Sequence, residues 1–310
     1  MLPVPHVPTA APHVAAGNGT NGRHPPVIAR AKSKPPAAKT ARHSTRQKLA
    51  AGSLLARIEV TAGESLSLEL FAGSHSIISG EWQPRVVIDG EARSQKSLWE
   101  ELCVLRTDDA DYWEFEMCLG EPWCVQRQIM FARDAQFLLI ADKVLGPESA
   151  AIKYTCDVPL SLGVAWEPAA ESREGWLAGR RKLGVVLPLA LPEWRSDREP
   201  GELESVPDGL QLRQGARGRA LYAPLLIDLN PRHFRKPYTW RRLTVAEQMQ
   251  ILPRDVAAGF RVQFGREHWL VYRALTTKGN RTVLGKNLCS DFFIGKMKAD
   301  GKFEQLVEIE

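Results

Sequence analysis

From about Leu54 the chain is written in short runs that alternate apolar and polar residues with a period of two, broken repeatedly by turn formers. In ESLSLEL, Leu66, Leu68 and Leu70 alternate with Ser65, Ser67 and Glu69, so one edge of an extended segment meets a core and the other meets water. A helix would need its apolar positions three and four residues apart. YWEFEMCL sets Tyr112 and Glu114 against Trp113 and Phe115 in the same way. WCVQRQIMFARDAQFLLIADKVLG reads as a hairpin, with a strand to about Phe131, a turn at Arg133 and Asp134, and FLLIADKV returning. A further turn is marked by Asp208-Gly209, ahead of LQLR. GFRVQFG, HWLVYRAL, NRTVLG, DFFIGKMK and KFEQLVEIE follow as strands, the last two joined by Asp300-Gly301. The best helical signal is RRLTVAEQMQ, where Thr244 and Glu247 fit a capping box, yet it is short and β-branched enough to be a strand. No repeat of fixed period appears. The expectation is an all-β body, a large antiparallel two-sheet β-sandwich of roughly 12–15 strands.

Charge separates that body from what precedes it. Eight of the 41 basic residues and none of the 36 acidic ones fall in residues 1–50, which leaves 33 against 36 over residues 51–310, a net of −3. The first 50 residues also hold eight of the 21 prolines and no Phe, Trp or Tyr. Such a segment cannot bury enough apolar area to offset its ordering entropy, so residues 1–50 are expected to be a disordered Pro/Ala-rich basic tail and residues 51–310 the β-sandwich domain. A slightly acidic body argues against nucleic-acid binding by the fold. No run reaches the roughly 18–20 apolar residues that cross a bilayer, and no secretory signal is evident, so the expected location is cytoplasmic. Five cysteines at irregular spacing, without a CxxC pair, point to buried free thiols.

Familiar catalytic signatures are missing from the body: GxxxxGK[ST], HExxH and GxSxG do not occur. Neither a metal nor a cofactor is expected. Asp108, Asp109 and Asp111 lack the distal ligands of a calcium loop. The densest polar and aromatic stretch is NPRHFRKPYTWRRLTVAE, residues 230–247, whose Pro231 and Pro237 argue for a loop. Its Arg232, Arg235, Arg241 and Arg242 suit a carboxylate or sulfate, and Tyr238 and Trp240 suit a pyranose face. In HWLVYRAL the strand period places His268 and Tyr272 on one face and Trp269 and Arg273 on the other. His233, Tyr238 and Tyr272 are the candidate catalytic groups by residue type, an elimination needing a base, an acid and a group that neutralises a carboxylate. Arg232, His233, Arg235, Tyr238, Trp240, Arg241, Arg242 and Arg273 are the candidate ligand-binding residues. A core Tyr and a structural Arg ion pair are the competing reading of Tyr272 and Arg273.

DDADYWEFEM, WCVQRQIMFARDAQFLLIADKV, the stretch from LYAPLLIDLN through TWRRLTVAE to RTVLGKNL, and the terminal LVEIE together resemble the carboxy-terminal β-sandwich of heparinase II/III-like polysaccharide lyases. The similarity is greatest to uncharacterised planctomycete-type bacterial members and covers most of residues 60–310. In that family an α/α-toroid precedes the sandwich and supplies much of the cleft, and with 50 residues ahead of this body no toroid is expected here. The resemblance therefore implies a module that recognises or helps process an acidic polysaccharide without catalysis of its own. Two alternatives stay open: a residual lyase acting by β-elimination on uronic acids, and a structural or interaction protein with no sugar role.

Overall fold

The computed structural model describes residues 41–44, 56–120 and 122–310. The expected tail therefore lies outside the described residues, except for four of its residues that form a strand. Strands β1 (Ala41–Ser44), β2 (Ala56–Ala62), β3 (Leu66–Ala72) and β4 (His75–Glu81) make a four-stranded meander. β5 (Pro84–Ile88) and β6 (Glu91–Arg93) form a small hairpin. β7 (Glu100–Arg106), β8 (Ala110–Cys118), β9 (Cys124–Ala132) and β10 (Phe137–Pro159) then pair in succession. β11 (Ala165–Pro168), β12 (Gly175–Ala178), β13 (Lys182–Pro188), β14 (Gly201–Val206) and β15 (Gly209–Asp228) complete an 11-stranded sheet ordered β11-β12-β13-β15-β10-β9-β8-β7. Off that path, β14 adds to β15, and β5 adds to β10.

The remainder of the chain builds two more sheets. Its strands are β16 (Tyr238–Leu243), β17 (Val245–Glu247), β18 (Gln250–Ile251), β19 (Ala257–Phe264), β20 (Glu267–Ala274), β21 (Arg281–Val283), β22 (Lys286–Leu288), β23 (Phe292–Met297) and β24 (Phe303–Ile309). The order β16-β19-β20-β23-β24 gives five strands, and β18-β17-β21-β22 gives four.

Strand parity assigns side chains to three cores. Leu66, Leu68 and Leu70 of β3 meet Trp113, Phe115, Ile129 and Leu138 of the large sheet in the first core. The opposite face of the large sheet, carrying Tyr112, Met130, Leu139 and Leu226, packs on Phe260, Val271 and Ile294 of the five-stranded sheet in the second. The far face of that sheet, with Leu270 and Tyr272, covers Val245 and Val283 of the smallest sheet in the third. The all-β antiparallel sandwich is thus borne out, with four sheets stacked about three cores. Strands among the described residues number 24 because several, such as β6, β17 and β18, hold only two or three residues, too few for alternation to be read. Among the described residues there is no α-helix; RRLTVAEQMQ, with its capping-box spacing, lies in β16, β17 and β18. Nor does any helix long and apolar enough to cross a membrane occur among them.

A sheet buried on both faces must bury whatever polar side chains its strands carry. In the first core, Arg127 donates to Asp142 through Nε (2.7 Å) and Nη2 (2.6 Å), Tyr154 donates to the same carboxylate at 2.6 Å, and the guanidinium lies 5.0 Å from the Trp99 ring centroid. Burial opposes the charge on Arg127, but Asp142 outweighs it and holds the guanidinium protonated. In the second core Arg273 grips Glu114 with both terminal nitrogens, Tyr112 donates to Glu114 at 2.5 Å, and Gln128 joins the hydroxyls of Tyr112 (3.1 Å) and Tyr222 (2.5 Å). Lys143 is buried on the same face, and burial, followed by the nearby charge of Arg273, pushes its pKa down to about 8.

Two consequences are measurable. Asp142→Asn strands the Arg127 charge in the first core and should cost about 3–5 kcal/mol in urea unfolding; a loss under about 1 kcal/mol would show that the pair is not needed. Lys143 binds its proton more weakly folded than unfolded, so its burial penalty is complete below pH 8 and fades as pH rises from 8 towards 10.5. Lys143→Met should stabilise the protein by up to about 3 kcal/mol at neutral pH, with the gain shrinking across that window; a gain that does not vary with pH would refute this.

Candidate functional site

Residues 230–247 divide into a loop and a strand. Asn230 accepts from the Arg232 amide at 3.1 Å, the His233 amide donates to the Asn230 carbonyl and the Lys236 amide to the His233 carbonyl, so Pro231 and Pro237 bound a compact turn. Chain direction then sets as β16, paired with β19 from Tyr238↔Phe264 to Leu243↔Gly259. The loop expected across this whole stretch therefore ends at Pro237. On β16 the period of two turns Tyr238, Trp240 and Arg242 towards the second core and Thr239, Arg241 and Leu243 the other way, so the cations cannot all converge.

Of the three candidate catalytic groups, His233 and Tyr238 flank the same Phe264 ring, and Tyr272 lies apart in another core. His233 is 2% exposed; its Nδ1 lies 2.9 Å from Asp228 and its Nε2 3.3 Å from Glu267, and the ring stacks on Phe264 with centroids 4.9 Å apart. Burial pushes the Asp228 carboxyl up against the pull of His233, whereas at Glu267 the effect of burial is outweighed by Lys296 and His233. Tyr238 packs edge-on against Trp176 and Phe264 with its hydroxyl buried and unpartnered, and burial, reinforced by Asp228, pushes the phenol pKa up. Tyr272 lies in the third core, across the five-stranded sheet, where it accepts from Arg281 at 3.2 Å and burial again raises its pKa.

Of the candidate binding residues, Arg273 is held by Glu114 inside the second core, and Trp240 is buried with its indole N–H donating to the Leu191 carbonyl at 2.8 Å. Arg232 and Arg235 are exposed on the turn. Arg241 and Arg242, with the buried Trp240, line a concave surface. They line a cavity of about 350 Å³ against the segment at 190–199, together with Glu193, Trp194, Glu199 and Arg254. A second compartment of about 220 Å³ shares Glu199, Arg242 and Arg254 and adds Arg217 and Tyr222.

Within this cleft two carboxylates are engaged. Arg254 donates to Glu199 at 2.6 Å, and Thr239 donates to Glu193 at 2.6 Å. Arg242 is half-buried there: among the described residues its guanidinium makes no hydrogen bond or ion pair, its Nε is buried without a partner, and its Cζ lies 5.6 Å from the Phe260 ring centroid. Burial, then repulsion from Arg254, lowers its pKa to about 10, leaving it a cation at neutral pH. At the lip, Trp194 is 46% exposed. The cleft therefore offers an anion the half-buried Arg242 guanidinium, which has no partner among the described residues, a planar apolar surface, and flanking carboxylates that accept from hydroxyls. Trp194 and Arg254 were not among the residues selected by sequence. The signal available was PEWRSDREPG, a tryptophan among charges between prolines, which marks a loop but not what it faces. Among the described residues no cluster of three or more His, Cys, Asp and Glu is placed to hold a metal ion.

No protein-family model and no curated protein matches the chain. Among solved structures it is similar to a mutant heparan sulfate lyase HepC from Pedobacter heparinus, at 9% identity and a TM-score of 0.47 over 76% of this chain and 43% of that one. It is also similar to a heparinase III gene product, at 8% identity and a TM-score of 0.44 over 75% of this chain and 42% of that one. A third similar structure, titled heparinase III, has 8% identity and a TM-score of 0.42, with 71% of this chain and 40% of that one covered. This chain spans less than half the length of each of these structures.

Proposed function

We propose that this β-sandwich binds an acidic polysaccharide in the cleft between the segment at 190–199 and β16, and that it does not itself cleave the bound chain. The observation that carries the reading is Arg242, a partly buried cation without a partner among the described residues, set in a cleft with Trp194 at its lip. A carboxylate or sulfate would supply the missing hydrogen-bond acceptors. Sugar rings present an apolar face to an indole, and hydroxyls bond to mixed charged pairs such as Arg254 with Glu199. The non-catalytic part of this reading is supported by placement. β-Elimination requires a base, an acid and a carboxylate neutraliser around one sugar, whereas His233 has both ring nitrogens against carboxylates, and Tyr238 and Tyr272 are high-pKa phenols in different cores.

Affinity electrophoresis and calorimetric titration at low salt should show binding to sulfated or uronate polysaccharides and none to a neutral glucan. Arg242→Ala should weaken that binding at least tenfold, about 1.4 kcal/mol, and Trp194→Ala should weaken it for every ligand that binds. Absence of binding to any acidic polysaccharide would overturn the proposal. Growth of unsaturated-uronate absorbance on mixing would overturn its non-catalytic part.

A further inference from the structure

Cys118 and Cys124 stand directly opposite each other at the end of the β8–β9 ladder. One step further out, the Leu119 amide donates to the Trp123 carbonyl at 2.9 Å. Antiparallel pairs alternate between bonded and open sites, so Cys118 and Cys124 form an open pair, with Cα atoms about 4.5 Å apart and side chains projecting together. A disulfide spans Cα separations of roughly 4.4–6.8 Å. Both thiols are free and partly exposed. Their neighbours Met117 and Val125 enter the first core, so parity turns the two thiols to the opposite face of the sheet. Cys156 faces the first core, Cys103 is opposite Glu114 on β7, and Cys289 follows β22 in another sheet, so none of these shares the site.

We propose that Cys118 and Cys124 are a reversible oxidation site that closes into a cross-strand disulfide at the tip of this hairpin. With a small disulfide RSSR as oxidant, the Cys118 thiol loses its proton and attacks one sulfur, forming a mixed disulfide and expelling RS⁻, which takes up a proton. Cys124 then loses its proton and attacks the Cys118 sulfur, breaking the mixed disulfide and releasing the second RS⁻, which is protonated in turn. Two protein thiols are oxidised and one RSSR is reduced to two RSH. Burial, then the charge of Glu116 on β8, raises the Cys124 pKa to about 12 against the opposing charge of Lys143 on β10, with Cys118 also adjacent. The closing step is therefore the slow one and accelerates with pH as the thiolate fraction grows. Closure fixes the hairpin that carries Trp123, whose ring occupies the space a side chain at Gly146 would need: a Cβ there would lie 2.4 Å from the indole.

The test treats the full chain with glutathione disulfide near pH 8.5, the ordinary thiol range, followed by alkylation, trypsin and mass spectrometry. Cys118 and Cys124 share the tryptic peptide of residues 107–127, which contains no other cysteine. The expected product is that peptide unalkylated and lighter by two hydrogens, together with a Tm raised by roughly 4 °C. Cys124→Ser should instead stop at a lasting glutathione adduct on Cys118. A doubly alkylated peptide, a persistent adduct on the unaltered protein, or a lowered Tm would overturn the proposal.

Discussion

The pairing of β10 with β15 is the constraint on which the remaining architecture depends. The two strands run together from Phe137↔Asp228 to Pro159↔Gly209, with one register shift between Leu145 and Ala150. At the Phe137 end β9 and β13 flank the pair; at the Pro159 end β5 and β14 do. One long ribbon thus feeds both halves of the 11-stranded sheet, and the shift lets each half follow its own twist. The other sheets pack against this one or against its neighbour, so a change in that register would move every core at once.

Burying both faces of the ribbon explains the polar chemistry inside the protein. Strands with a solvent face can place charges in water, but β8, β9 and β10 have none to spare along their central stretches. Glu114, Arg127, Asp142 and Arg273 accordingly pair with one another and with tyrosine hydroxyls. Arg273 therefore belongs to the energetics of the core. Arg242, on an edge strand at the margin of the same core, keeps its charge without a protein partner among the described residues and opens to a cleft. Arg127 and Arg273 differ from Arg242 in that a carboxylate meets each of them, Asp142 from the paired strand and Glu114 across the core.

Legibility from sequence followed the range of each interaction. The β9–β10 hairpin, the Asp208-Gly209 and Asp300-Gly301 turns and the half-buried face of β3 were readable, because each rests on residues adjacent in the chain. YWEFEMCL was read as alternating, which it is by face, yet Tyr112, Glu114, Trp113 and Phe115 are all buried. Alternation distinguishes two faces but not which of them meets water once a sheet is covered on both sides. RRLTVAEQMQ shows the same limit: a local capping pattern yielded to pairing of β16 with β19 and of β17 with β21.

What the sequence determined by itself was the class of fold and the chemical inventory: an antiparallel β body, a charge surplus confined to residues 1–50, and a stretch at 230–247 dense in arginine and aromatics. Only the tertiary structure decided which of those groups are available. It put Tyr272 and Tyr238 on opposite sides of one sheet, spent Trp240 on the Leu191 carbonyl, and joined Arg241 and Arg242 to Trp194 and Arg254 from distant segments. The physical reason is that residue type and spacing encode local backbone preference and facing, whereas burial and charge pairing depend on which strands the fold sets opposite each other across a core.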